Sequence, residues 1–227
     1  MTGLTNDQIK ATQSYIDRTR EYLSAQNLHL TVSSDPYEWK DLLENAPGVR
    51  ALASTFDPGP NDIPSRNMFW LALRNADGEA ISCVGSRRFD TEDFINEWVT
   101  TWRLFGDETP HLEISTLDYV DTLPRFSGTV GYGGGLWVHP DFRGNDLAVQ
   151  TSKLARVFTV RHFCADHYIV FVEGISEKID WALNTLEWPY GANLSDGFVD
   201  REVFPTSCLD WYFTDRVVVL IARKWPR

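Results

Sequence analysis

Gly133-Gly134-Gly135-Leu136-Trp137-Val138-His139-Pro140-Asp141-Phe142-Arg143-Gly144-Asn145-Asp146-Leu147-Ala148 is the stretch on which the fold turns. Leu136, Trp137 and Val138 are apolar and β-favouring, and Pro140 cannot donate to a ladder, so a strand is expected to end at Val138. The glycines before them permit a bulge or the close approach of a ligand to the strand backbone; a flexible loop entering the strand is the plainer alternative. From Asp146 onward, Leu147, Thr151, Leu154, Val157, Phe158 and Phe163 recur at helical spacing, with Asp146 as N-cap or first-turn residue. The unit is therefore strand, tight loop, helix. A helix start of this kind presents unpaired N–H groups and the positive end of a macrodipole, which suits a phosphate-bearing ligand, and Arg143 adds a cation beside it.

Working outward, His167 to Val172 is a near-continuous apolar run and reads as a buried strand. Ser176 is placed to cap a helix from Glu177 to about Glu187, with Ile179, Leu183 and Leu186 on its apolar face and Trp188-Pro189-Tyr190-Gly191 ending it. Two last strands are expected over Ser195 to Val203 and Trp211 to Arg223. Upstream, Phe69 to Arg74 and Ala80 to Arg87 flank Asn75-Ala76-Asp77-Gly78 as a hairpin around an Asp-Gly turn. Thr91-Glu92-Asp93-Phe94 carries helix-start chemistry, and Phe94, Ile95, Trp98, Trp102 and Phe105 form a bulky stripe, read as core packing with a lid or acceptor wall as the functional alternative. Three prolines, Pro58, Pro60 and Pro64, mark a loop. Before it, Thr5 or Asn6 caps a helix whose apolar face is Ile9, Tyr15, Ile16, Tyr22 and Leu23. Leu28 to Val32 reads as a first strand, and Asp35-Pro36 starts a short helix with Trp39, Leu42 and Leu43 facing inward.

At 227 residues and 43% hydrophobic content the chain can bury a sizeable core, and one domain spanning 1–227, with an insertion at about 90–127, is expected. The longest clean apolar run, Val217 to Ala222, is too short to span a bilayer, and no basic region precedes an N-terminal apolar segment, so neither a membrane span nor a secretory signal is expected. Cys83, Cys164 and Cys208 are an odd set at no metal-like spacing, which points to a reducing cytoplasm, no disulfide framework and no metal. A net charge of −11 argues against a nucleic-acid partner and would repel acidic carrier proteins while attracting a cationic amine; simple solubility explains it equally well. No serine has a nucleophile-elbow setting, so a hydrolase triad is not expected.

Arg143-Gly144-Asn145-Asp146-Leu147-Ala148, preceded by Leu136-Trp137-Val138-His139-Pro140, resembles the diphosphate-binding loop of the GCN5-related N-acyltransferases, whose pattern is Gln or Arg, two residues, Gly, one residue, then Gly or Ala. Asp146 stands where that family prefers glycine. A carboxylate there disfavours a diphosphate if it points inward, whereas the backbone donors do not depend on the side chain. The resemblance implies a mixed, mostly antiparallel sheet of six or seven strands with helices on both faces. It implies acetyl-coenzyme A or another acyl-coenzyme A as co-substrate, a small-molecule amine as acceptor, and a monomer or homodimer. The strand residues Leu136, Trp137 and Val138 would hold the thioester carbonyl and pantetheine arm through their backbone, and Arg143, Gly144, Asn145, Asp146, Leu147 and Ala148 the diphosphate.

Acyl transfer needs a polarised carbonyl, a deprotonated amine and a proton for the leaving thiolate. The family's usual donor is a tyrosine within Asn-x-x-Ala-x-x-Leu-Tyr. Over Asp180 to Glu187 that pattern, with the glycine that follows it four residues past the tyrosine, keeps Leu186 and Gly191, but puts Glu187 where the tyrosine is expected and Asp180 where the asparagine is. Tyr190 could substitute if the helix end is shifted. The candidate bases are Glu173, at the carboxyl end of a central strand where α/β sheets hold ligands, and Glu113 in the insertion. His139 reads as a turn residue. Two alternatives stand beside the small-molecule acyltransferase: an enzyme like the acyl-homoserine lactone synthases, suggested by the long segment before the central strand, and a non-catalytic coenzyme A-binding or interaction module, suggested by Asp146 and the missing tyrosine.

Overall fold

The computed structural model describes residues 4–49, 52–99, 101, 103–105, 125–173, 190–195 and 217–223. Its main elements are α1 (Asn6–Ser24), β1 (His29–Ser33), α2 (Pro36–Glu44), β2 (Met68–Arg74), β3 (Ala80–Thr91), β4 (Gly128–Val138), α3 (Leu147–Phe163), β5 (His167–Glu173), β6 (Tyr190–Ser195) and β7 (Val217–Arg223). The strands form one seven-stranded sheet in the order β1-β2-β3-β4-β5-β7-β6. Every neighbouring pair is antiparallel except β4 and β5, which run parallel around α3. This is the mixed, mostly antiparallel sheet that the resemblance implied, and helices cover both faces.

Local chemistry explains most element starts. Thr5 caps α1 in a full capping box with Gln8, and Asp35 accepts from the N–H groups of Tyr37 and Glu38 at the start of α2, where Pro36 fits the first turn. The buried stripe of α1 is Thr12, Ile16, Thr19 and Leu23, whereas Ile9 and Tyr22, expected inside, are exposed. Two threonines replace them because each hydroxyl bonds back to its own helix, Thr12 to the Gln8 carbonyl at 2.8 Å and Thr19 to that of Tyr15 at 2.8 Å, so their methyl groups can face inward.

β2 is buried on both faces. Phe69, Leu71 and Leu73 meet α1 and α3 on one side, while Met68, Trp70 and Ala72 meet α2 on the other. Such a strand reads as a continuous apolar run rather than as an alternating one. α3 is set against β3 by two buried hydroxyl pairs, Ser82 with Thr151 at 2.8 Å and Ser86 with Thr159 at 2.9 Å. Those bonds fix where the helix begins relative to the end of β4.

Two local expectations need correction. Thr91 ends β3 instead of opening a helix: its hydroxyl accepts from the Asp93 N–H, and the chain then makes a single π-helical turn over Ile95–Val99. Phe94 and Ile95 are buried in the core, so core packing holds for this part of the aromatic stripe. The strand expected to start at Ser195 ends there, because β6 begins at Tyr190, and in β7 the described residues begin at Val217. The helix expected over 177–187, the strand residues 196–203 and 211–216, and Glu113 lie outside the described residues.

Candidate functional site

Gly135 has a φ of +66°, a left-handed conformation that leaves one extra residue in β4. Cys83 pairs with Trp137 and Gly85 with Gly134, so two steps along β3 span three along β4. The bulge lies under two rings: Trp39 Cζ2 would be 2.7 Å from a Cβ on Gly135, and Phe56 Cε2 2.6 Å from one on Gly134. On its other edge β4 pairs with β5 only from Val130 with His167 to Gly133 with Val170, although both strands continue. From Gly134 to Val138, then, the edge of β4 that faces β5 has no strand partner among the described residues, and the sheet opens where the bulge bends the strand. An unpaired edge offers alternating N–H and carbonyl groups to whatever lies alongside.

The loop after β4 closes in one 3-10 turn, Pro140–Phe142, capped by His139, whose Nδ1 accepts from the Asp141 N–H at 3.2 Å. Arg143 Nε donates to the Val138 carbonyl at 3.3 Å, Gly144 adopts φ +85°, and Asn145 Nδ2 donates to the Phe142 carbonyl at 3.2 Å. The first hydrogen bond of α3 runs from the Gln150 N–H to the Asp146 carbonyl at 2.9 Å. None of the N–H groups from Gly144 to Val149 has an acceptor among the described residues. Asp146 is the N-cap by position, yet its carboxylate is exposed and makes no capping bond. The turn is thus open, with a row of backbone donors at the positive end of a 17-residue helix.

The structure places the remaining candidates as follows. Leu136 and Val138 lie partly buried on the α3 side, and Trp137 is buried on the other, its Nε1 donating to the Pro47 carbonyl at 3.0 Å. Glu173 is the last residue of β5, three positions past the end of the β4 pairing and opposite Val217. Tyr190 opens β6 opposite Ile221, which replaces the expected helix end; its backbone therefore stands two strands from β5. Beside Trp137 a cleft of about 530 Å³ is walled by Ala46, Glu79, Trp137, His139 and Phe142. Among the described residues no cluster of His, Cys, Asp or Glu could hold a metal ion, and no helix is long and apolar enough to cross a membrane.

Sequence reasoning passed over Arg87. This residue of β3 is 8% exposed and sits among Phe89, Tyr132 and the 3-10 turn Ser54–Phe56, where burial pulls its pKa down to about 10. An arginine inside the apolar run from Ala80 to Phe89 was the available signal.

No family model and no curated protein matches the chain. Several solved structures do resemble it. NAA60 of Arabidopsis thaliana with acetyl-CoA has a TM-score of 0.49 at 10% identity, over 86% of this chain and 98% of that one. A spermidine N-acetyltransferase variant from Vibrio cholerae has 0.49 at 9%, over 87% and 94%. A GNAT family acetyltransferase from Elizabethkingia anophelis with acetyl-CoA bound has 0.47 at 10%, over 87% and 99%. Likeness this distant establishes no shared ligand or activity.

Proposed function

We propose that this protein is an acyl-CoA-dependent N-acyltransferase of the GCN5-related kind, a single domain that moves an acyl group, acetyl first of all, to the amine of a small molecule in the cytoplasm. The observation that carries the reading is the continuity of two unsatisfied features, the open edge of β4 from Gly134 to Val138 and the uncapped N–H row from Gly144 to Val149. A ligand bearing amides at one end and a diphosphate at the other fits both.

In this reading the N–H row and Arg143 hold the diphosphate, and the β4 edge takes the amide-bearing arm as a missing strand would be taken. An N–H of the bulged segment polarises the thioester carbonyl. The amine lone pair attacks the carbonyl carbon, the C–S bond breaks, the thiolate leaves with the electron pair, and the amine loses one proton. Glu173 at the mouth of the opening, or Glu113, accepts that proton, and Tyr190 or solvent returns one to the thiolate.

One sequence feature favours a second reading, a coenzyme A-binding module without turnover: Glu187 occupies the place of the family's tyrosine. Thermal-shift titration with acetyl-CoA and longer acyl forms, with thiol release over an amine panel, decides between them. Stabilisation with turnover supports the enzyme, stabilisation without turnover supports the module, and no stabilisation overturns both.

A further inference from the structure

Among the described residues Arg87 is a cation without an anion. Its Nη1 donates to the Thr55 carbonyl, its guanidinium lies 4.9 Å from the Phe89 ring centre, and its Nε is buried with no acceptor. Thr55 is 0% exposed and its hydroxyl is likewise unpartnered, so two unsatisfied buried donors belong to the two residues that this one bond joins. By contrast the next residue, Arg88, is paired with Asp90 at 3.0 Å on the surface. Burying a guanidinium against one carbonyl and one ring leaves most of its lost hydration unreplaced, and a buried orphan donor of this kind calls for a missing partner.

The position says what that partner is. Arg87 pairs with Tyr132, two residues before Gly134, so it stands about 7 Å along the strand from the bulge. It faces the side occupied by Phe56, whose ring covers Gly134, and not the side of α3. A diphosphate on the α3 turn is therefore out of its reach. A carboxylate matches the planar guanidinium and offers two acceptor oxygens for two unsatisfied donors.

We propose that Arg87 and Thr55 form the anion subsite of the acceptor and select an amine that also carries a carboxylate, of the amino-acid or short ω-amino-acid class. This rests on the acyltransferase reading for the amine, but the anion subsite is testable without turnover. The full chain is titrated by calorimetry, in the presence of coenzyme A, with N-acetylated amino acids and ω-amino acids as product mimics and with the corresponding amides. The acid is expected to bind at least ~10-fold more tightly than its amide, Arg87→Gln to abolish the difference, and Thr55→Val to reduce it about three- to fivefold. If Arg87→Gln fails to fold, Arg87→Lys takes its place: it keeps the charge but not the fork, and retains only part of the preference. Equal binding of acid and amide by the unaltered protein, binding of neither, or an acid preference that survives at Arg87→Gln overturns the proposal. Coenzyme A stabilisation is measured separately: its absence beside an intact acid preference overturns the acyltransferase reading and leaves the anion subsite supported.

Discussion

Gly131 and Gly133 of β4 and Gly144 of the loop after it obey different constraints. At Gly133 a Cβ would lie 2.0 Å from Tyr168 Oη, and at Gly131 one would lie 2.1 Å from Thr159 Cγ2, so both are there because a helix and a neighbouring strand press on the backbone. At Gly144 nothing comes within 4 Å, and only the φ of +85° demands glycine. The first kind serves packing between elements distant in the chain. The second serves the path of the backbone, and leaves donors aimed outward.

The largest expected effect tests the packed side. Gly133→Ala drives a methyl group into a buried tyrosine ring and is expected to destabilise by about 3 kcal/mol, at the upper end of overpacking, seen as a lower urea midpoint. Tyr168→Phe in the same chain should recover part of that loss, because the Oη contact is the shortest. Equal losses with and without the hydroxyl would break the packing explanation.

Gly144→Ala should cost less, about 1 kcal/mol, because only a left-handed conformation is strained and no atom is struck. Coenzyme A stabilisation should fall by more than that loss of stability explains, since the N–H row is re-aimed. A third variant tests charge alone. Asp146→Asn removes a carboxylate that makes no capping bond, so unfolding should shift by less than about 0.5 kcal/mol, while acetyl-CoA affinity rises roughly two- to fivefold. A clear loss of stability would show that the carboxylate caps α3 after all.

The smallest effect sits at the other end of α3. His162 lies in the last turn, where the helix dipole favours a cation, yet contact with the Phe69 and Phe163 rings buries it enough to lower its pKa. The folded state therefore binds its proton more weakly than the unfolded chain. Stability is full above the ordinary histidine value of about 6.5 and declines as pH falls through the lowered folded value. His162→Gln should flatten that slope in thermal melts between pH 7 and 5.

Most local signals were legible. The capping box at Thr5, the Asp35-Pro36 start, the hairpin around Asp77-Gly78, and α3 from Asp146 to Phe163 follow from residues a few positions apart. The Thr91 helix start failed because four more residues of β3, Arg88 to Thr91, pair with β4, and the ladder outweighs a capping motif. Tyr190 was misplaced at a helix end because its partner Ile221 lies 31 positions downstream.

Determined by the sequence alone were the periods, the caps, the excess of negative charge, and the presence of glycines before and inside the loop. What only the tertiary structure decided is where β4 bulges, that β5 leaves it after Gly133, that the Asp146 carboxylate stays off the helix start, and that Arg87 is buried without a counter-ion among the described residues. Each of these depends on groups brought together from far apart in the chain, such as Phe56 over Gly134 or Thr55 against Arg87, and no spacing along one segment records such contacts.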